Sequence, residues 1–311
     1  MQNMYYSFFI CLPLSLLMAP LAIGVINKVK AFFAGRCGVS LFQLYYDLLK
    51  LLRKENIHST SSGWILQITP FFSLGFIVLS MLFLPLGSGL SPFGFAGDGI
   101  LFFYLLGSAR FLTVLAALDT GSSFEGMGAS REVQFSALAE GVIFALLAFL
   151  AVNSGALELN TMLNDSGISV WNKNTALILA AVAFFIVLLA ENCRVPFDDP
   201  ETHLELTMIH EAMILDFSGK DLAMILYGSA VKLWIFASFL VLMLLPHGFF
   251  PLPVNILIYF AGVLLVAVLV GIVESSMARY RFLKVPPLLT AALALALVAI
   301  FFITFFTGGA K

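Results

Sequence analysis

Eight predominantly apolar runs punctuate the chain, at about 5–26, 65–86, 100–118, 135–155, 175–191, 222–245, 254–275 and 288–306. Each is long enough to cross the hydrocarbon as a helix. Because the runs do not alternate polar and apolar positions, they cannot be barrel strands. The pattern predicts an all-α polytopic membrane protein of about eight transmembrane helices, a single membrane domain over 1–311. The first run precedes the first positive charge, Lys28, and lacks a basic leader, so it reads as a retained span and not a signal peptide.

The polar stretches between the runs set the orientation. Those at 27–64, 119–134, 192–221 and 276–287 carry Lys28, Lys30, Arg36, Lys50, Arg53, Lys54, Arg131, Arg194, Lys220, Arg279, Arg281 and Lys284, against only Lys173 and Lys311 on the other side. By the positive-inside rule these four loops are cytoplasmic and both termini lie outside. Within the first, Leu41, Leu44, Tyr45, Leu48, Leu51 and Leu52 recur at helical spacing with Gln43, Asp47, Lys50 and Lys54 opposite. That is an amphipathic helix at the interface, either an anchor in the lipid bilayer or a partner-binding face.

With 61% hydrophobic and 11% charged residues, the chain is not a soluble domain, and a net charge of −2 gives no reason to expect nucleic acid. Cys11, Cys37 and Cys193 are scattered, which argues against iron–sulfur or zinc sites held by this chain. Any redox centre would belong to a partner.

Against this background the stretch from Glu191 to Glu205 stands out, gathering Glu191, Arg194, Asp198, Asp199, Glu201, His203 and Glu205. Ionisable groups at a membrane edge are costly and mark charge pathways or docking surfaces. Asp199-Pro200-Glu201 reads as a helix start running to about Leu215. His203 and His210 fall roughly 10 Å apart on such a helix, too far to share one metal. Ile214 stands where a zinc-binding H-E-x-x-H motif starting at His210 would need its second histidine.

Five ionisable residues lie in or at the ends of apolar runs: Arg110, Glu140, Glu191, Lys232 and Glu274. Arg110 and Lys232 sit mid-run and need a carboxylate or a wet cavity, whether as static packing bridges or as members of a proton relay. Glu140, a lone acid inside a span, is the best single candidate for proton exchange. Glu274, beside Arg279 and Arg281, reads as a solvated interfacial acid, and Asp98, Glu158 and Asp165 as solvated outer-loop acids. Asp119–Glu132 reads as a Gly/Ser-rich loop able to approach another surface closely.

Together Glu191, Arg194, Pro196-Phe197-Asp198, Glu201, Glu205-Leu206, Asp216-Phe217-Ser218-Gly219, Gly128-Ala129-Ser130-Arg131-Glu132, Glu140 and the first-loop set Arg36, Gly38, Gln43, Asp47, Lys50-Leu51 and Lys54 resemble one family. It is the eight-span subunit shared by respiratory complex I, as its quinone-site membrane subunit, and by group 4 membrane-bound hydrogenases of the formate hydrogenlyase type. The resemblance covers nearly the whole chain. It implies a non-catalytic anchor in a bacterial or archaeal inner membrane, beneath soluble hydrogenase-like large and small subunits and iron–sulfur proteins. Those partners would carry [NiFe] and iron–sulfur clusters, with quinone possible, and antiporter-like membrane subunits would lie alongside. Carried over by position, Glu140, Glu191, Asp198, Glu201 and Glu205 line an ion path with Arg194 as a charge partner; His203 joins that path as an imidazole able to relay protons, and the mid-run Arg110 and Lys232 read as further charge partners. Arg36, Asp47, Arg131, Glu132, Glu211 and Asp216 become docking residues. Arg110-Phe111 and Leu118-Asp119-Thr120-Gly121-Ser122 look like the hydrogenase branch, as does the lack of an acid at Val25-Ile26-Asn27-Lys28. The chain departs from the family pattern at His203, where a glutamate is usual, and at Cys37-Gly38-Val39, where Gly-Pro follows the first-loop arginine. A quinone-site subunit and a stand-alone secondary transporter are the competing readings, although the internal repeat usual in transporters is not visible.

Overall fold

In the computed structural model, residues 7–59, 62–87, 90–171, 175–198, 208–245 and 251–307 are described, without the side chains of Ser7, 167–171 and 306–307. Among them the elements are α1 (Leu12–Phe33, entered through a π-turn at Ser7–Cys11), α2 (Gln43–Leu52), α3 (Trp64–Met81), α4 (Asp98–Asp119), α5 (Ser123–Ser154), α6 (Leu159–Trp171), α7 (Thr175–Glu191), α8 (His210–Met213), α9 (Gly219–Leu244), α10 (Leu252–Ser276) and α11 (Val285–Phe302). No strand occurs among the described residues.

Among the described residues, seven helical segments are long and apolar enough to cross a membrane. The eighth crossing expected from sequence, α7, has 17 residues, a rise of roughly 25 Å. It packs against α5, α9 and α11 like its longer neighbours. Phe71, Tyr104, Phe111, Leu257 and Leu265 face outward in the open, as a lipid-facing surface requires. The protein is a multi-pass membrane protein.

The bundle is organised around α9. Of its most apolar stretch 78% is buried, against 28–44% for the other long helices. It touches α1, α2, α3, α6, α7 and α10. Inside, the rings of Phe184 and Phe239 stack with centroids 4.7 Å apart, and Phe102 stacks on Phe239 at 6.0 Å, tying α4, α7 and α9 together. Such pairs add about 1 kcal/mol each beyond the area they bury.

Three elements differ from expectation. α1 does not stop at Ile26 but runs two turns on, to Phe33, so Lys28 and Lys30 are helical. α5 begins at Ser123, which makes most of the expected loop 119–134 the first three turns of a 32-residue helix. The helix expected from Asp199 to Leu215 appears in the described residues only as the single turn α8, after an irregular Met208–Ile209.

Asp98 also corrects the sequence reading. It is not solvated: its carboxylate is fully buried and accepts the backbone N–H of Leu159 at 2.7 Å, capping α6. Asp98→Ala is expected to destabilise the protein by about 1 kcal/mol, the usual worth of such a cap, read as a lower thermal midpoint in detergent. An unchanged midpoint would show that the cap contributes nothing.

The first loop is pinned to the start of α9. Asn56 Nδ2 donates to Asp221 Oδ1 at 2.8 Å, and Lys220 N–H donates to Asn56 Oδ1 at 2.6 Å. Ser218 and Ile57 exchange two further bonds of 2.8 Å. On the same side, Asp119 accepts the N–H of Gly63 at 2.8 Å and caps α3.

Candidate functional site: a buried line of charges

The site is built where α7 ends. Arg194 N–H reaches Leu189 O at 2.9 Å and Cys193 N–H reaches Ala190 O at 3.1 Å, the pair of bonds that closes a Schellman motif. Cys193 takes the left-handed position at φ 48°, where glycine is usual. The conformation costs a non-glycine residue about 1 kcal/mol. This turn directs Glu191, Cys193 and Arg194 inward, all buried. No sequence signal marks the motif, because the glycine that announces it is absent.

Glu191 is the hub. Its carboxylate pairs with the Arg110 guanidinium of α4 and with Lys232 Nζ of α9 at 3.0 Å, and Lys232 also donates to the Glu191 backbone carbonyl at 2.7 Å. The other arm of the Arg110 fork holds Glu140 of α5. The two mid-span cations thus find carboxylates, and one arginine bridges two acids on different helices, the bidentate geometry that a guanidinium supplies and an ammonium does not. Glu191 retains only 4% of its side-chain exposure, whereas Glu140 retains 49% at the outer end.

A second group of ion pairs flanks the hub. Arg194 lies 3.5 Å from Glu274, which also meets Lys30 at 3.4 Å. The expectation of a solvated Glu274 is therefore corrected: its side chain is fully buried between two cations from other segments. Arg279 pairs not with Glu274 but with Asp198, at 2.7 Å. The other Asp198 oxygen accepts the N–H groups of Ile209 and His210 at 3.1 and 3.2 Å, so this acid fixes the α8 turn. α8 can lie directly on α5 because residue 128 is glycine; a Cβ there would stand 2.9 Å from the Ala212 methyl and the Ile209 carbonyl oxygen.

Three cavities lie among these groups. The largest, about 80 Å³, is lined by Arg110, Glu132, Glu191, Arg194, His210 and Lys232 among others. One of about 30 Å³ lies toward Glu140, Arg110 and Glu191. One of about 10 Å³ lies toward Asp198, Glu132 and Glu191. A water needs roughly 10–15 Å³, so the first has room for several and the last for about one. All three share Glu191. The polar line therefore runs Asp198–Glu132–Glu191–Arg110–Glu140, from the α8 side into the bundle.

Of the residues expected on the ion path, Glu140, Glu191 and Asp198 lie along this line, while Glu201, His203 and Glu205 fall outside the described residues. Of those expected on a docking surface, Arg36 is exposed, and Asp47, Glu211 and Asp216 are half-buried. Arg131 donates to Met208 O at 3.1 Å and lies 4.6 Å over the Phe282 ring. Glu132 is buried in the wall between two cavities. Sequence reasoning did not single out Glu125, which is buried and bonded to Thr120 and to the N–H of Asp216 at 3.1 Å.

His210 faces the large cavity with Nε2 3.3 Å from Ser229 Oγ. Burial, and then the positive charges of Lys232 and Arg194, hold its imidazole down at about 4, below the ordinary 6.5. The folded state thus keeps it neutral where an unfolded chain would protonate. The stability it supplies is complete above pH 6.5 and is lost as pH falls from 6.5 toward 4. His210→Gln is expected to flatten the pH dependence of the thermal midpoint in that window; a dependence identical to that of the parent protein would contradict it. Burial, reinforced by Glu132 and Asp198, likewise raises the Cys193 thiol well above its usual range.

The whole chain has relatives. It is 32% identical to hydrogenase-4 component C of Escherichia coli (strain K12), over 93% of each chain. It is 28% identical to formate hydrogenlyase subunit 4 of the same organism, over 91% of this chain and 93% of that one. It is 26% identical to an NADH-quinone oxidoreductase subunit of Anaplasma phagocytophilum (strain HZ), over 82% of each. In fold it is similar to a chain in the structure of the membrane-bound sulfane sulfur reductase, an archaeal respiratory membrane complex, with a TM-score of 0.82 and 21% identity over 97% of this chain and 99% of that one. Matched from residue 6 to residue 305 by the NADH dehydrogenase family model, the chain belongs to that family.

Proposed function

We propose that this chain is the non-catalytic membrane subunit of a multisubunit redox complex of the membrane-bound hydrogenase type. It anchors a soluble electron-transfer module and passes protons or other ions from beneath that module toward antiporter-like membrane subunits. The observation that carries this reading is the line of ionisable groups from Asp198 to Glu140, buried except at the half-exposed Glu140 and bordered by cavities that share Glu191. Buried charges in a membrane bundle are retained where charge must move or be balanced. The redox centres, [NiFe] and iron–sulfur, belong to the partner subunits. The concentration of Lys and Arg in the first, third, fifth and seventh loops supports a cytoplasmic position for those loops and for the docked module.

The hydrogenase branch is favoured by the greater identity to the two Escherichia coli hydrogenase-type chains than to the quinone oxidoreductase chain. A quinone would need space between α1 and the first loop. There the Leu41 carbonyl oxygen presses onto Gly24 so closely that a Cβ would stand 2.0 Å away. Mass spectrometry of the intact, detergent-extracted complex tests the assignment. A nickel–iron large subunit is the expected companion. A quinone-linked module in its place would move the chain to the other branch, and a functional chain without soluble partners would make it a transporter.

A further inference from the structure

Glu132 and Glu191 line the same cavity in opposite circumstances. Glu191 is clamped between Arg110 and Lys232, with two cations on one carboxylate. A proton arriving there would have to break both pairs. Glu132 is 8% exposed and, among the described residues, has no cation within ion-pair distance. Its near neighbour is the Cys193 thiol, with Sγ 3.8 Å from Oε2, a weak donor that leaves the carboxyl able to exist in either form. The groups facing it are Arg110 of α4, Lys232 of α9, Glu191 and Cys193 at the α7 turn, Asp198 beyond it, and His210 of α8.

Charge balance points the same way. The ion pairs of the cluster among the described residues engage Lys30, Arg110, Arg194, Lys232 and Arg279 against Glu140, Glu191, Asp198 and Glu274, five cations to four acids. Glu132 takes no part in these pairs, so its protonation adds one positive charge to the cluster. The cluster thus moves by one unit without any ion pair being broken. Position completes the case: Glu132 alone among these acids lines both the one-water cavity beside Asp198 and the large cavity, apart from the clamped Glu191.

Resting on the proton-path reading above, we propose that Glu132 is the acid that takes up and releases the travelling proton, while Glu191 is a fixed counter-ion holding Arg110 and Lys232 in place. The ionised Glu132 accepts a proton from the Asp198 side, becomes a neutral carboxylic acid, and returns to the carboxylate by giving that proton to water in the large cavity.

The test uses the whole purified complex, reconstituted in vesicles for redox-driven proton uptake and examined in parallel by difference infrared spectroscopy in H2O and D2O. Glu132→Gln is expected to lower uptake by at least about tenfold, as removal of a proton-transferring group does. It should also abolish a carboxylic-acid band that shifts in D2O, a band that Cys193→Ala keeps. If E132Q retains full uptake and the band while Glu140→Gln loses uptake, Glu132 is not the carrier although the path stands. If neither substitution alters uptake, the path reading itself fails and takes this proposal with it. Should E132Q not assemble, Glu132→Asp keeps the acid but withdraws it by one methylene. Slower uptake with a displaced pH profile supports the assignment, and an unchanged rate and profile overturn it.

Discussion

Arg110→Ala is expected to deplete the assembled protein from the membrane and to lower its thermal midpoint more than any other single substitution in the cluster. The guanidinium holds acids from two helices at once, Glu140 on α5 and Glu191 on α7. Removing it leaves Glu191 buried with Lys232 alone and leaves Glu140 without its partner. Stripping one member from a buried ion pair costs roughly 3–5 kcal/mol, a large part of the 5–15 kcal/mol that separates typical folded and unfolded states. Arg110→Lys is the informative control, because it restores the charge but not the fork. It should recover part of the midpoint. Equal midpoints for the parent, Arg110→Ala and Arg110→Lys would show that the bridge is structurally idle.

Glu140→Gln should behave in the opposite manner, leaving assembly and midpoint close to those of the parent while redox-coupled ion transfer collapses. The substitution is nearly isosteric, the side chain is half exposed, and Arg110 keeps Glu191 when Glu140 is neutralised. What is lost is the titratable group at the outer end of the line. Removing such a group slows proton transfer by about a hundredfold. The measurement is ion uptake by vesicles holding the complex, set against the redox turnover of the same preparation. Uptake at parental rates would end the case for Glu140 as a path residue.

The two substitutions separate what a sequence can and cannot disclose. The crossings were legible because a bilayer demands long apolar runs whatever the tertiary contacts, and α7 was recognisable even at 17 residues. That Arg110 and Lys232 need acids also follows from their depth alone. Which acids they meet does not, since Glu191 is 81 positions from Arg110 and 41 from Lys232. Glu274 and Asp98 were misjudged for the same reason. Each sits at a helix end, where a carboxylate ordinarily finds water, and each is buried by a segment remote in sequence. Glu132 was hidden by its surroundings. The glycines and serines from Gly121 to Ser130 spell a loop, yet here small residues serve a helix that must admit α8 against its side. Composition alone could not distinguish those two uses. The acids after Asp199 were the most conspicuous in the sequence, and the line of charges that the fold displays begins just before them, at Asp198.

The latch between the first loop and the head of α9 has a mechanical consequence. Asn56 and Ile57 are fastened to Ser218, Lys220 and Asp221, and Lys232 lies on the same unbroken helix, some 20 Å further along its axis at 1.5 Å per residue. A helix of this length transmits axial load with little compression, because shortening it would break backbone hydrogen bonds. The loop and the Lys232 ammonium are therefore attached to one strut, at its head and near its middle. A body that pulls on the loop from outside, and a charge that tugs on Lys232 from within, act on the same rigid member, and neither can displace it without being felt by the other.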